Sequence, residues 1–107
     1  MEQSLSETQR RVADFLAAHA LEAPLMERLL DLVSEVGELA QAALATSEYG
    51  RAPFTVTAAW CEELGDVTFA LLGVAAASDV DLATALEDAL EKLARRLATT
   101  GDAASGR

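Results

Sequence analysis

The sequence predicts an all-α protein, in which a four-helix domain assembles into a multi-helix bundle. Its 107 residues are enough for one domain, and 51% of them are hydrophobic, which is sufficient for a core. Helix-favouring Ala, Leu and Glu are abundant, whereas the chain has only two prolines and six glycines. Four stretches carry apolar residues at helical spacing, so four helices are expected.

The first two predicted helices cover residues 4–19 and 24–46. Ser4 and Glu7 have the spacing of a capping box, and Pro24 suits the first turn of the second helix. The second helix has a stripe of core residues at helical spacing, which consists of Leu25, Leu29, Leu32, Val36, Leu39 and Ala43.

The third predicted helix follows a loop over residues 47–53 and ends at Ala77. Its N-cap is a threonine, either Thr55 or Thr57. The helix is apolar nearly all round, which is typical of a helix buried on several sides. In so short a chain, this pattern indicates burial between subunits. We also expect Cys61, the one cysteine, to be a buried and unreactive thiol.

The fourth helix is predicted over residues 82–98, with leucines along one face and basic residues in its last turns. Residues 99–107 are small and polar, so we expect a disordered tail after a domain that spans residues 1–98. The basic residues suit the negative end of the helix dipole, and phosphate binding is an equal alternative for them. They are Lys92, Arg95 and Arg96.

The net charge of -10 predicts repulsion from nucleic acid polymers and from anionic membranes. The N-terminal residues lack the basic and then apolar pattern of a secretory signal, and no apolar run reaches the roughly 18 residues of a membrane helix. We therefore expect a cytoplasmic protein that binds neither nucleic acid polymers nor membranes. A nucleotide remains compatible with this charge if a metal ion mediates the contact.

Two acidic motifs dominate the second and third helices, E-V-G-E at residues 35–38 and E-L-G-D at residues 63–66. Residues three apart share one face of a helix, so each motif directs two carboxylates to the same side. Helices packed side by side would bring four carboxylates together, and these repel one another unless protons or a cation neutralise them. A divalent cation with oxygen ligands, Mg²⁺ or alternatively Mn²⁺, fits this pattern. The candidate ligands are Glu35, Glu38, Glu63 and Asp66.

Each acidic motif encloses a glycine, Gly37 or Gly65, which costs roughly 1 kcal/mol relative to alanine inside a helix. We interpret the repeated glycine as a sign that two backbones approach closely there. Asp31 falls near the first acid pair on the helix surface. The alternative is that both acid pairs lie on solvated helix faces without a metal.

The stretch L-V-S-E-V-G-E-L-A at residues 32–40, followed by E-E-L-G-D-V at residues 62–67, resembles the MazG-type nucleoside triphosphate pyrophosphohydrolases. Their motif is E-E-x-x-E, a spacer and then E-x-x-D, and the spacer here is 24 residues. The resemblance covers about residues 5–97. Ser34 stands where the motif has its first acid, and Glu62 is a candidate to replace that acid.

The resemblance implies an all-α enzyme, a homodimer or homotetramer, that cleaves (d)NTPs between the α- and β-phosphates. It implies that the four candidate ligands hold Mg²⁺ and that Lys92 contacts the substrate. Arg95 and Arg96 match the family's substrate-binding positions more loosely. The role implied for such an enzyme is house-cleaning of the nucleotide pool.

Aromatic side chains are the candidates for stacking on a nucleobase. Phe15, which shares a helix face with His19, and Trp60 are the main candidates, with Tyr49 and Phe54 as further ones. For Phe15, however, we favour core packing over contact with a base. Two other functions stay open, a pyrophosphohydrolase for a phosphoribosyl nucleotide and a non-catalytic acidic module for helical assembly. A di-iron bundle is disfavoured because neither acid pair includes a histidine.

Overall fold

The computed structural model describes residues 3–100, and within that range it consists of four α-helices without a strand. This confirms the predicted all-α class. The helices are α1 (Leu5–Ala18), α2 (Leu25–Thr46), α3 (Ala58–Ala77) and α4 (Leu82–Thr100).

The predicted starts of the first and third helices are confirmed by their caps, whereas Pro24 is the N-cap of α2 and not a first-turn residue. The Ser4 hydroxyl accepts from the Glu7 amide at 3.1 Å, and the Glu7 carboxylate accepts from the Ser4 amide at 3.2 Å, which completes a capping box. Thr57, not Thr55, caps α3 by accepting from the Trp60 amide at 3.2 Å. The fourth helix continues to Thr100, two residues beyond its predicted end. The rest of the predicted tail, residues 101–107, lies outside the described residues.

The first helix ends in a left-handed residue that is not glycine. Ala20 has φ 52°, and its turn is closed by the Leu21 amide, which donates to the Leu16 carbonyl at 2.8 Å. A second bond joins the Ala20 amide to the Ala17 carbonyl at 3.3 Å. This pair of bonds is the Schellman motif, which satisfies carbonyls left free at a helix end.

The same closure ends α2 and α3. Tyr49 donates to the Leu44 carbonyl at 2.9 Å after left-handed Glu48, and Val80 donates to the Ala75 carbonyl at 3.0 Å after left-handed Asp79. Sequence reasoning missed all three closures because glycine, the usual signal, is absent from these positions.

Helices α2 and α3 form an antiparallel pair. At one end, the Thr46 hydroxyl donates to the Thr55 carbonyl at 3.0 Å. At the other end, Arg28 packs against Gly73, where an added Cβ would lie 3.4 Å from Arg28 Cδ. Helix α1 packs on the C-terminal part of α3, with Leu16 beside Gly73.

Helix α4 packs mainly on α1, and the chain bends by 102° between α3 and α4. Gln9 fixes the start of α4, since its amide group donates to the Val80 carbonyl at 2.8 Å and accepts from the Leu82 amide at 2.9 Å. The Ser6 hydroxyl adds a bond to the Asp81 carboxylate at 2.9 Å. These bonds direct α4 away from the α2–α3 pair.

The core of the single chain is small. Among residues 3–100, the buried hydrophobic side chains are Leu16, Ala70, Leu72 and Ala75, of which three belong to α3. Cys61 is exposed, so the prediction of a buried thiol is wrong. It lies on the exposed side of an apolar helix, a distinction that hydrophobicity along the sequence does not make.

The interpretation of the two motif glycines is wrong for the single chain. A Cβ added at Gly37 or at Gly65 would meet nothing within 4 Å. Both glycines are exposed, because they lie on the sides of α2 and α3 that point away from the acidic cluster between the two helices. Close approach to another backbone therefore does not explain them within one chain.

Within residues 3–100, no helix by itself is both long and apolar enough to cross a membrane. Only α3 and α4 taken together, with their 102° bend, have the necessary length and composition.

We predict that Ala20→Gly stabilises the protein. A left-handed conformation costs an L-residue roughly 1–2 kcal/mol, part of which is offset by the greater chain entropy of unfolded glycine. The free energy of unfolding in urea should therefore rise by about 0.5–1 kcal/mol. The control is Ala17→Gly, which lies inside α1 and should lower it by about 1 kcal/mol. Equal decreases in the free energy of unfolding of the two variants would contradict the left-handed conformation of Ala20.

Candidate metal centre

The antiparallel packing of α2 and α3 brings acidic side chains from both helices together. One carboxylate oxygen from each of Glu35, Glu63 and Asp66 lies within 4.8 Å of the others. Glu35 and Glu63 are partly buried, whereas Asp66 is exposed. Three of the four predicted ligands thus converge on one point.

Glu38, the fourth predicted ligand, lies at the edge of this cluster. It is exposed and is not one of the three convergent carboxylates. Its negative charge nevertheless acts on both Glu35 and Glu63. A change of rotamer or a shared water would be needed to bring Glu38 to the same ion.

The pKa of Glu35 is raised above its ordinary value. Burial is the main cause, and the charges of Glu38, Asp66, Asp31 and Glu63 add to it in that order. Each charged neighbour in this set is acidic, so the protein itself disfavours the ionised form of Glu35.

Glu63 behaves in the same way. Burial is the main cause of its raised pKa, and Glu38, Asp66 and Glu62 add their negative charges. Glu62 therefore lies near the cluster on the Glu63 side, whereas Asp31 acts on Glu35.

Two oxygens of this cluster are buried without a hydrogen-bond partner, Glu35 Oε2 and Glu63 Oε2. A buried polar atom without a partner is costly, and a buried carboxylate needs a proton or a cation. The available donors are all carboxylate oxygens, which is the ligand set that hard divalent cations prefer. The residues present therefore fit a divalent cation.

An aromatic cluster lies about one helical turn from the acids. Phe15 contacts His19 with the rings tilted by 44° and their centroids 4.4 Å apart, and it meets Phe69 edge-on at 5.9 Å. Phe15 is 48% exposed, so the favoured prediction that it packs in the core is wrong. Beside these rings is a cavity of about 350 Å³, which is lined by Thr8, Arg11, Val12, Phe15 and Phe69.

Sequence reasoning missed Phe69 as a site residue. Its signal was the spacing, because Phe69 follows Asp66 by three positions and so lies near it on α3. Trp60, the other predicted stacking residue, is partly buried and packs edge-on against Phe54 at 4.9 Å. It precedes Glu63 by three positions, so the aromatic side chains flank the acids along α3.

The basic residues of α4 are not brought to the acids within one chain. Lys92 and Arg95 are exposed, Arg96 is partly buried, and α4 leaves α3 at a 102° bend. Lys92 and Asp66 are each about 15 Å from that bend along their helices, by the rise of an α-helix. A lysine side chain of one chain does not bridge the resulting separation.

A comparison with protein-family models agrees with this arrangement of acids. The family model for the MazG nucleotide pyrophosphohydrolase domain matches residues 25–99, which include all of α2 and α3 and most of α4. This chain belongs to the MazG nucleotide pyrophosphohydrolase family. No curated protein matches the chain. The matched segment contains both acidic motifs, whereas α1, which supplies Phe15, precedes it.

We predict that Glu35→Gln stabilises the metal-free MazG chain at neutral pH. Because the folded state raises the pKa of Glu35, stability is fully retained below the unfolded pKa of about 4.3 and is lost as the pH rises through the higher folded pKa. In EDTA, the gain in melting temperature of the variant over the wild type should therefore be largest at pH 7 and shrink towards pH 4.

Two measurements test this explanation. Asp14→Asn removes an acid from exposed α1 and should give no such pH-dependent gain. Mg²⁺ should stabilise the wild type more than Glu35→Gln, because the variant has lost a ligand. A gain that is independent of pH, or one shared by Asp14→Asn, would contradict the role of the cluster.

Proposed function

We propose that this MazG chain is a Mg²⁺-dependent enzyme that hydrolyses (d)NTPs between the α- and β-phosphates, giving a (d)NMP and pyrophosphate. The observation that carries this proposal is the convergence of Glu35, Glu63 and Asp66 within 4.8 Å. A triphosphate with about four negative charges would be repelled by bare carboxylates. A shared cation removes the repulsion, and two buried oxygens without partners support such a cation.

The cation would be held by Glu35, Glu63 and Asp66, with Glu38 beside them. When bound, Mg²⁺, or Mn²⁺ in its place, supplies positive charge for the phosphate oxygens and makes nearby water more acidic. The carboxylates would hold this charge in the site where the triphosphate binds. The partial burial of Glu35 and Glu63 strengthens their electrostatic interactions with the substrate complex.

Glu62 is our candidate for the general base. It precedes Asp66 by one turn, is exposed, and has a charge that acts on Glu63. In the proposed step, Glu62 takes a proton from water while the water oxygen bonds to the α-phosphorus. The bond from this phosphorus to the bridging oxygen breaks, and pyrophosphate leaves. Ser34, at the motif's first acid, has no carboxylate for this role.

Phe15 is our main candidate for contact with the nucleobase. It is half exposed, and with Phe69 it lines the cavity of about 350 Å³. The Cβ atoms of Asp66 and Phe69 are about 5–6 Å apart, as for any residues three apart in a helix. One nucleotide is long enough to place its phosphates at the acids and its base against these rings. Trp60 would border the opposite end of the acid strip.

We propose that the basic residues of α4 complete the site of a second copy in a homodimer or homotetramer. Apolar side chains on α2 support such an assembly, since Met26, Leu30 and Val33 are 60%, 63% and 63% exposed. Lys92, with Arg95 and Arg96, would neutralise the departing pyrophosphate. The biological role would be removal of unwanted nucleotides from the cytoplasmic pool.

We predict that Glu63→Gln lowers kcat/KM for Mg²⁺-dependent pyrophosphate release by at least ~100-fold, because it removes a charged ligand while keeping the side-chain shape. Pyrophosphate should be measured on a panel of (d)NTPs, with and without Mg²⁺, alongside a phosphoribosyl nucleotide. Asp14→Asn is the matched control and should stay active. Full activity of Glu63→Gln would refute the assigned site, and no turnover of any nucleotide by the wild type would favour a non-catalytic assembly module.

We also predict complementation between two inactive variants. In a twofold dimer whose sites combine the acids of one chain with Lys92 of the other, reassorted Glu63→Gln and Lys92→Ala chains should recover about a quarter of the wild-type sites. Half of the dimers are then hybrids, and each hybrid has one intact site. The chains should be mixed, unfolded in urea and refolded together. Activity no higher than the sum of the separate variants would show that each site uses one chain only.

A further inference from the structure

We propose that Gln9 is a positioning residue, which sets the direction of α4 and through it the place of Lys92 in the site of a second copy. This inference rests on the proposed two-chain site and adds to it a residue that touches neither the nucleotide nor the acids. Gln9 belongs to α1, which precedes the segment matched by the family model. It therefore lies outside both acidic motifs and outside that segment.

The side-chain amide of Gln9 bonds to the backbone on both sides of Asp81. Its Nε2 donates to the Val80 carbonyl at 2.8 Å, and its Oε1 accepts from the Leu82 amide at 2.9 Å. One planar group thus orients two successive peptide units of the turn. Leu82 is the first residue of α4, and its amide is one of those that a helix leaves without an intrahelical partner. Gln9 therefore fixes the angle at which α4 begins.

A second residue of α1 holds the same turn. Ser6 is three positions before Gln9, on the same face of α1, and its hydroxyl donates to one oxygen of the Asp81 carboxylate at 2.9 Å. The other oxygen accepts from the Thr84 hydroxyl at 2.9 Å. The bonds from Thr84 and then Ser6 lower the pKa of Asp81, so this carboxylate stays ionised at neutral pH. Ser6 thus holds the side chain of the turn, whereas Gln9 holds its backbone.

Packing within one chain leaves much of the apolar face of α4 uncovered. Leu86, Leu90 and Leu97 are 48%, 52% and 54% exposed. A helix whose direction is set by apolar packing buries such a stripe along its length. Among the described residues, the direction of α4 therefore depends mainly on the hydrogen bonds at its start, which α1 provides.

The length of α4 makes the position of Lys92 sensitive to these bonds. Lys92 is ten residues after Leu82, which corresponds to about 15 Å along the helix. A rotation of α4 by about 10° about its start would move Lys92 by roughly 2–3 Å. A misplacement of about 1 Å can cost an enzyme about 100-fold in rate. Loss of the two bonds from Gln9 would therefore affect the basic residues of α4 without any change in their chemistry.

The first test measures the direction of α4 by pulsed electron paramagnetic resonance. Spin labels are attached to the exposed Cys61 and to Ala94→Cys on α4, and labelled chains are refolded with an excess of unlabelled chains, so that distances within one chain are observed. We expect one narrow distance distribution with Gln9 present and a broader or shifted one in Gln9→Leu, which removes both bonds. Ala17→Gly, which weakens α1 without touching the turn, should keep the narrow distribution. An unchanged distribution in Gln9→Leu would overturn the proposal.

The second test is kinetic. Gln9→Leu should lower kcat for pyrophosphate release at least ~10-fold and leave KM unchanged, because Lys92 is assigned to the charge that develops on the departing pyrophosphate. Ala17→Gly should keep its kcat at a temperature where both variants are folded. Equal losses of kcat in the two variants would show that Gln9 acts through stability alone, and would overturn the proposal.

Refolding of mixed chains separates a positioning role from a defect in the fold. Each hybrid of Gln9→Leu with Glu63→Gln joins the intact acids of the first chain to the correctly placed Lys92 of the second. The mixture should therefore recover about a quarter of the wild-type sites, as a mixture with Lys92→Ala does. Recovery with Lys92→Ala but not with Gln9→Leu would overturn the proposal and leave the proposed function intact. If neither mixture recovers, the two-chain site is wrong, and the inference fails with it.

Discussion

The packing of α2 against α3 holds carboxylates of like charge together, and the candidate metal centre depends on that contact. Ala70, one turn after Asp66 on α3, is only 1% exposed, so the helix is tightly packed one turn beyond the acids. The same packing buries parts of Glu35 and Glu63 and raises the pKa of each. Apolar packing thus opposes electrostatic repulsion. A cation would remove that opposition, so the proposed metal binding would stabilise the folded chain.

The opposite face of α2 explains why the single chain has so small a core. Met26, Leu30 and Val33 lie roughly 160–220° around the helix from Glu35, and so does Gly37. This side is apolar and largely exposed in one chain, whereas the other side carries the acids. A helix with this division can face its site on one side and another subunit on the other. Gly37, which has no close neighbour within the chain, belongs to the side that would meet a subunit.

Local signals made the fold predictable from sequence, and tertiary geometry limited the rest. The capping box at Ser4, the N-cap at Thr57 and the convergence of the motif acids depend on residue spacing along a helix, which the sequence states directly. The left-handed end at Ala20 escaped prediction because alanine gives no signal for it. The exposure of Cys61 depends on which side of α3 is covered, and hydrophobicity alone does not reveal that.

The direction of α4 bears on the proposed assembly and on the proposed catalysis. Gln9 bonds to both sides of the turn before α4, and Ser6 bonds to Asp81, so the start of that helix is fixed on α1. A rotation of α4 towards the acids of its own chain would break these bonds and expose their polar groups to a changed environment. The basic residues of α4 would therefore reach the acids of a second chain without breaking these hydrogen bonds, whereas reaching the acids of their own chain would break them. On that basis, dilution of the proposed dimer below its dissociation constant would separate Lys92 of one chain from the acids of the other.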